Sequence, residues 1–170
     1  MTTSGILVSV LVPSYNHARF IRQAIESVWS QSLRDIELII VDDNSSDESF
    51  EIAWHLSLGS PVDMRVLKHE RNRGCGAALN SALAIARGQW IATLASDDFY
   101  APMKLERQLA LAHQMGSNYG CVHSDAYMVD EHGRILGRTY DRSAHPPMRE
   151  NAFIEFAKAK SRVVAISAIA

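Results

Sequence analysis

Two pairs of adjacent carboxylates stand where apolar runs end: Asp42-Asp43 after 37–41, and Asp97-Asp98 after the run over 89–95. A third apolar run, over 6–12, ends in Pro13-Ser14-Tyr15-Asn16, and a basic glycine-rich turn follows at Arg71-Asn72-Arg73-Gly74. Carboxylate oxygens suit a hard cation such as Mg²⁺ or Mn²⁺, which a phosphate-bearing substrate shares. A carboxylate can equally accept from a base N–H or a ribose hydroxyl. An aromatic ring can stack on a base, and arginine donates to bases and phosphates. Each group alone has a plain alternative. Asp98 would cap the helix that Pro102 announces, and Asp97 would be a solvated turn residue. Their arrival at successive strand ends is what carries the chemical reading, because an open α/β sheet binds ligands outside the carboxyl ends of its strands.

The elements that would position these groups follow from hydrophobic periodicity. Residues 6–12 and 37–41 are nearly continuous apolar runs and predict strands buried on both faces. Phe20, Ile21, Ala24, Ile25, Val28 and Trp29 recur at helical spacing, with Asn16 read as the N-cap. Ser45 and Glu48 have the spacing of a capping box ahead of a short helix with Ile52, Ala53, Leu56 and Leu58. A weaker strand over 64–67 leads through the basic turn into a helix with Ala77, Ala78, Leu79, Ala82, Leu83, Ile85 and Ala86, which Gly88 ends. The fourth strand is 89–94, and a helix with Leu105, Leu109, Leu111 and Ala112 follows. This strand–helix alternation predicts an α/β/α sandwich with a mainly parallel sheet and right-handed crossovers. Beyond it come a strand over 119–124, a hairpin over 127–136 with Gly133 at its turn, a loop over 139–150, a helix over 153–158 and a final strand over 163–169.

Composition narrows the class. A chain of 170 residues with 47% apolar and 21% charged residues suits one soluble domain. The formal net charge of -2 carries no field for nucleic acid or an anionic membrane. Cys75 and Cys121 form no zinc or CxxC pattern. There is no basic-then-apolar leader and no run long enough to span a bilayer, so the expected setting is cytoplasmic. No G-x-x-x-x-G-K-[ST] is present, and the turn after the first strand lacks G-x-G-x-x-G, which excludes the P-loop and the ordinary dinucleotide site. His123, Ser124 and Asp125 are consecutive, so on a strand they point to alternate faces and form no hydrolytic set. His123 is read as structural, Asp125 as lining an acceptor side, and Cys75, Phe20 and Trp29 as packing residues.

Val8-Ser9-Val10-Leu11-Val12-Pro13-Ser14-Tyr15-Asn16, followed by Ile25-Glu26-Ser27-Val28-Trp29-Ser30-Gln31-Ser32, resembles the amino-terminal signature of family 2 glycosyltransferases. Residues 37–47, Asn72-x-Gly74, Asn80, Gly88-Gln89-Trp90-Ile91 and Ser96-Asp97-Asp98 with Pro102 match that family in order and spacing. The resemblance runs from about Ile6 to His123 and thins beyond. It implies the GT-A fold, a Rossmann-like α/β/α sandwich, and transfer of a sugar from a nucleotide-sugar donor with inversion, assisted by Mg²⁺ or Mn²⁺. The acceptor would be a saccharide or other hydroxyl compound, in polysaccharide biosynthesis. Carried over by position, Pro13, Ser14 and Tyr15 border the base, Asp43 hydrogen-bonds it, and an arginine of the Arg71/Arg73 loop helps hold it. Asp97 becomes the metal ligand, with Asp98 beside it at the donor or capping the helix.

Two departures accompany the resemblance. Ala95 stands where many members have Asp, so one direct carboxylate ligand is expected. The family's catalytic base belongs to a later segment. None of Glu106, Asp125, Asp130, Glu131, Asp141, Glu150 and Glu155 has a context like it, so the base is expected beyond residue 170. The chain therefore reads as one domain cut short at its C-terminus, with 1–115 the nucleotide-sugar half and 116–170 the start of the acceptor half. An exposed final strand would favour self-association into a homo-oligomer. Two other readings stand: a nucleotide-binding or assembly module without its base, and a nucleotidyltransferase of related fold.

Overall fold

The computed structural model describes residues 5–115 and 120–138, and the backbone of Val163 and Val164. Four β–α units open the chain: β1 (Val8–Ser14), α1 (Ile21–Trp29), β2 (Ile36–Asp42), α2 (Ser49–Ser57), β3 (Asp63–Lys68), α3 (Cys75–Leu83), β4 (Trp90–Thr93) and α4 (Lys104–Met115). Then come β5 (Cys121–Val122), β6 (Tyr127–Val129), β7 (Ile135–Arg138) and β8 (Val163–Val164). The main sheet runs β3-β2-β1-β4-β8-β5, and every pair in it is parallel.

Its two faces are read by the alternation of side chains along each strand. Val8, Val10 and Val12 of β1 and Leu38 and Ile40 of β2 pack with Ile21, Ile25, Ala53, Leu105 and Leu109, so α1, α2 and α4 cover one face. Leu11, Ile39, Val41 and Ile91 pack with Ala78 and Ala82 of α3 on the other. Both faces of the central strands are therefore dry, which is why β1 and β2 read as unbroken apolar runs. The predicted three-layer sandwich is the observed one.

At the amino ends of the strands, buried Glu37 ties β2 to its surroundings. Its carboxylate accepts from Ser9 Oγ at 2.5 Å, from Arg87 N at 2.6 Å and from the Arg87 guanidinium, and pairs with Arg65. Burial alone would raise this carboxyl; the Ser9 hydroxyl and the Arg87 and Arg65 groups outweigh it and hold it below the ordinary range. Gly88 donates its N–H to Ser9 Oγ at 2.8 Å, and a Cβ there would stand 2.5 Å from Ser9 N. The expected role of Gly88 as a helix stop is thus corrected. α3 ends at Leu83, and Gly88 lets the chain pass close to β1.

Other local expectations also change. Asn16 caps no helix: it has φ 55°, and α1 begins at Ile21 without a side-chain cap. The Ser45/Glu48 box does not form, since both side chains are used otherwise or not at all at the start of α2. Leu58 and Leu111, placed on apolar faces, are exposed. The hairpin of β6 and β7 forms with Gly133 at φ 78°, and an irregularity between Met128 and Val129 shifts its register. The strand predicted over 119–124 is reduced to Cys121–Val122. The loop over 139–150, the helix over 153–158 and residues 165–169 lie outside the described residues.

Candidate functional site

Because β2, β1 and β4 are adjacent and parallel, their carboxyl ends deliver Pro13, Ser14, Tyr15, Asp43, Asp97 and Asp98 to one edge of the sheet. The β3–α3 connection brings Arg71 and Arg73, both exposed, to the same edge.

At the end of β1, Ser14 is buried, and its Oγ has no hydrogen-bond partner among the described residues. Such a group is costly unless something satisfies it. Tyr15 follows with 45% exposure, its ring available to a ligand. The turn behind it is pinned by side chains of the β2–α2 connection. Asn16 N donates to Ser45 Oγ at 2.9 Å, and Ser45 Oγ donates to Asp42 at 2.5 Å. His17 N donates to Ser49 Oγ at 2.8 Å, and Ser49 Oγ donates to Asp47 at 2.5 Å. Ala18 N reaches the other Asp47 oxygen at 2.9 Å, and Asn16 Oδ1 accepts from Ser46 N at 2.8 Å. Burial would raise the Asp47 carboxyl, but these donors lower it overall.

At the end of β2, Asp43 is buried and faces the basic loop. Its carboxylate accepts from His69 Nδ1 at 2.6 Å, Arg73 N at 2.9 Å and Gly74 N at 2.6 Å. Burial again acts to raise this group, and the His69 ring with the two backbone donors pulls it below the usual carboxylate range. Gly74 adopts φ 87°, the left-handed region that favours glycine, as the chain enters α3.

The end of β4 is joined to the first turn by His17, whose Nδ1 shares a 2.7 Å hydrogen bond with Ser96 Oγ and lies 3.9 Å from Asp97 Oδ1. The Asp97 side chain is 49% exposed, whereas Asp98 is buried. Asp98 does not cap α4, which begins six residues later at Lys104; this corrects the capping alternative. Its charge is felt by buried Tyr100, whose phenol is raised first by burial and then by Asp98. Tyr100 Oη donates to Thr93 O at 2.7 Å, and beneath the ring Lys104 Nζ sits 4.2 Å from the centroid.

Among the described residues no group of three or more His, Cys, Asp or Glu gathers that could hold a metal ion. His17, Asp47, Ser49, His69 and Ser81 were not singled out from the sequence, yet they hold the site's loops together. The cluster Asn44-Ser45-Ser46-Asp47 directly after a strand end was the available signal. Of the acids weighed as bases, Glu106 bonds Ser32, Asp130 organises the hairpin turn and Glu131 pairs with Arg19. Asp125 is exposed and accepts from Ala126 N. His123, read as structural, is exposed.

The polar and charged groups gathered at the ends of three neighbouring strands stand on the edge where open α/β sheets bind ligands. The model of glycosyl transferase family 2 matches residues 9–169, and the chain belongs to that family. An uncharacterized glycosyltransferase of Rickettsia bellii is 34% identical over 136 residues, covering 80% of this chain and 19% of its own length. Residues 1–349 of S. aureus TarS, solved with UDP and with UDP-GlcNAc, are 26% identical with a TM-score of 0.66, covering 73% of this chain and 36% and 35% of those chains. The Pyrobaculum calidifontis mannosyltransferase PcManGT, solved with GDP-Man and Mn²⁺, is 25% identical with a TM-score of 0.60, covering 69% of this chain and 35% of that one. The fold is accordingly the GT-A, Rossmann-like sandwich. The chain spans between about a fifth and two fifths of the length of the first curated relatives it matches. No helix among the described residues is long and apolar enough to cross a membrane.

Proposed function

We propose that this domain binds a nucleotide-sugar donor across the ends of β2, β1 and β4 and passes its sugar, with inversion, to a hydroxyl of a saccharide or other acceptor. The observation that carries the reading is the shared edge: an exposed ring at Tyr15, a basic loop held by Asp43 and an exposed carboxylate at Asp97 stand in sequence along it. Tyr15 stacks on the base, with Pro13 at its border. Ser14, whose buried hydroxyl has no hydrogen-bond partner among the described residues, backs the donor at the same strand end. Arg71 and Arg73 add donors at the base end. UDP, UDP-GlcNAc and GDP-Man in the related structures are ligands of this class.

Asp97, an exposed carboxylate, would hold a divalent cation, Mg²⁺ or Mn²⁺, which would share its remaining positions with donor phosphate and water. When bound, the cation neutralises charge growing on the departing diphosphate. Asp98, buried next to Asp97 in the chain, stands at the donor end of the same turn. In the transfer the acceptor oxygen forms a bond to the anomeric carbon as the carbon–oxygen bond to the diphosphate breaks, and the acceptor proton passes to a base.

Calorimetric titration with UDP, GDP, ADP and CDP, with and without Mn²⁺, tests the reading. One nucleotide is expected to bind more tightly with Mn²⁺, and Asp97→Ala is expected to remove that increment while leaving the metal-free affinity. Absence of binding by all four would refute the donor site. Binding of donor without transfer to any acceptor would instead support a nucleotide-binding module.

A further inference from the structure

An ionised carboxylate only accepts hydrogen bonds and offers roughly four lone-pair directions. In Asp43, Oδ1 takes His69 Nδ1 and Arg73 N, and Oδ2 takes Arg73 N and Gly74 N. All of these donors belong to the connection between β3 and α3. Since Asp43 cannot donate, His69 Nδ1 carries the proton. The other ring nitrogen, Nε2, lies 2.9 Å from Ser81 Oγ on α3. A serine hydroxyl can donate to a neutral ring or accept from a charged one, so the ring keeps both bonds in either state. The His69 side chain is only 9% exposed, whereas residues 70–74 around Arg71 and Arg73 are largely solvated.

Within the described residues, the loop that carries the two arginines is fixed by the His69 ring and by the backbone N–H groups of Arg73 and Gly74. Besides the Asp43 contacts, Gly74 N has only a local 3.2 Å approach from Asn72 Oδ1. Besides the backbone bond from His69 N to Asp42 O, the loop is held by one buried carboxylate, whose aim a histidine braced on a helix helps to set.

We infer that His69, backed by Ser81, is a positioning residue for donor recognition: it orients Asp43 toward the Arg73 and Gly74 N–H groups and so places Arg71 and Arg73 against the nucleotide. The inference rests on the donor reading and deepens it. It gives Asp43, beside the expected contact with the base, the task of holding the loop next to it.

The test is a double-mutant cycle on the full chain, with UDP and GDP as probes in the presence of EDTA so that Asp97 contributes no metal effect. Circular dichroism confirms the fold of each variant. His69→Ala is expected to weaken nucleotide binding about tenfold and to speed tryptic cleavage after Arg71 and Arg73. His69→Asn, whose amide N–H stands near the place of Nδ1–H, is expected to recover most of both losses. In the background Arg71→Ala/Arg73→Ala, adding His69→Ala is expected to cost less than about twofold more, because the two perturbations share one path. Additive losses, or a His69→Asn variant no better than His69→Ala, would overturn the inference. Should His69→Ala not fold, Ser81→Ala takes its place in the same cycle, and additivity there would overturn it equally. Failure of the unmutated chain to bind any of UDP, GDP, ADP and CDP, with or without Mn²⁺, would overturn the donor reading and the inference together, whereas binding with additive losses would overturn the inference alone.

Discussion

Replacing Asp47 by Ala is expected to loosen the first turn of the site without touching a strand. Asp47 accepts from Ala18 N across the gap between two connections, and from Ser49 N and Oγ at the start of α2. The second set bonds the first residue of α2 from just outside the cap position, and each such bond contributes about 0.5–1.5 kcal/mol. The first is a hydrogen bond to a charged acceptor, worth about 1.5–3 kcal/mol when dry. Asp47 is only half-buried, so water recovers part of both, and the net loss should be about 2 kcal/mol. With a urea slope of about 2 kcal/mol per molar, the unfolding midpoint should fall by about 1 M. The pH dependence has a definite sign. A carboxyl lowered by folding stabilises the protein above its unfolded pKa, and that contribution is lost as pH falls through the lower folded value. The stability gap between the two proteins should therefore be full at pH 7 and shrink below about pH 4. Nucleotide binding should weaken as well, because the tether fixes the turn that presents Tyr15. A midpoint within about 0.2 M of the unmutated chain, at unchanged affinity, would refute the claim that this side chain holds the turn.

Gly88→Ala should lower the melting temperature by about 5 °C or more, since the new Cβ meets backbone atoms of β1 and cannot be relieved by a rotamer change. Glu37→Gln should cost about 2–4 kcal/mol at pH 7 in urea unfolding, and the difference should diminish as pH falls through the depressed folded value of Glu37. Lys104→Met should stabilise the protein near neutral pH. Burial pulls the Lys104 ammonium down to about 7, so the folded state carries its penalty in full below that pH and sheds it as pH rises toward the unfolded value. Against the lost contacts to Gln108 and Tyr100, the gain should be on the order of 2 kcal/mol at pH 6 and should vanish by about pH 10 in denaturation curves.

The sheet was legible because β1 and β2 are buried on both faces and spell continuous apolar runs. The edge residues were legible because a parallel sheet directs every strand end the same way. The tethers between connections were not. Ser45, Asp47 and Ser49 are short polar residues whose local preference is to cap a helix, and Ser45 with Glu48 had the spacing to do so. In the fold Ser45, 29 residues from Asn16, instead relays Asn16 N to Asp42, and no local pattern announces that. His69 sat in a polar stretch with no periodicity, and its value comes from two partners, Asp43 and Ser81, on different elements. Gly88 looked like a helix stop because close approach to another strand leaves no mark in a single sequence. The alternative of Asp98 as a cap arose because α4 was expected to start earlier than Lys104.

The strand order also sets a direction. Strands stand about 4.8 Å apart, so the edge from β3 through β2 and β1 to β4 works as a ruler with evenly spaced marks. On the donor reading, the base lies over the marks at Arg71, Arg73 and Tyr15 and the diphosphate over the mark at Asp97. A molecule laid out in that order has its sugar leaving past β4, toward β8 and β5. The hairpin of β6 and β7 follows β5 in the chain, and Glu131 in its turn reaches back to Arg19 in the β1–α1 connection. Chemistry is thereby confined to one end of the row, and lengthening the donor at its sugar end extends it away from the base pocket, not into it.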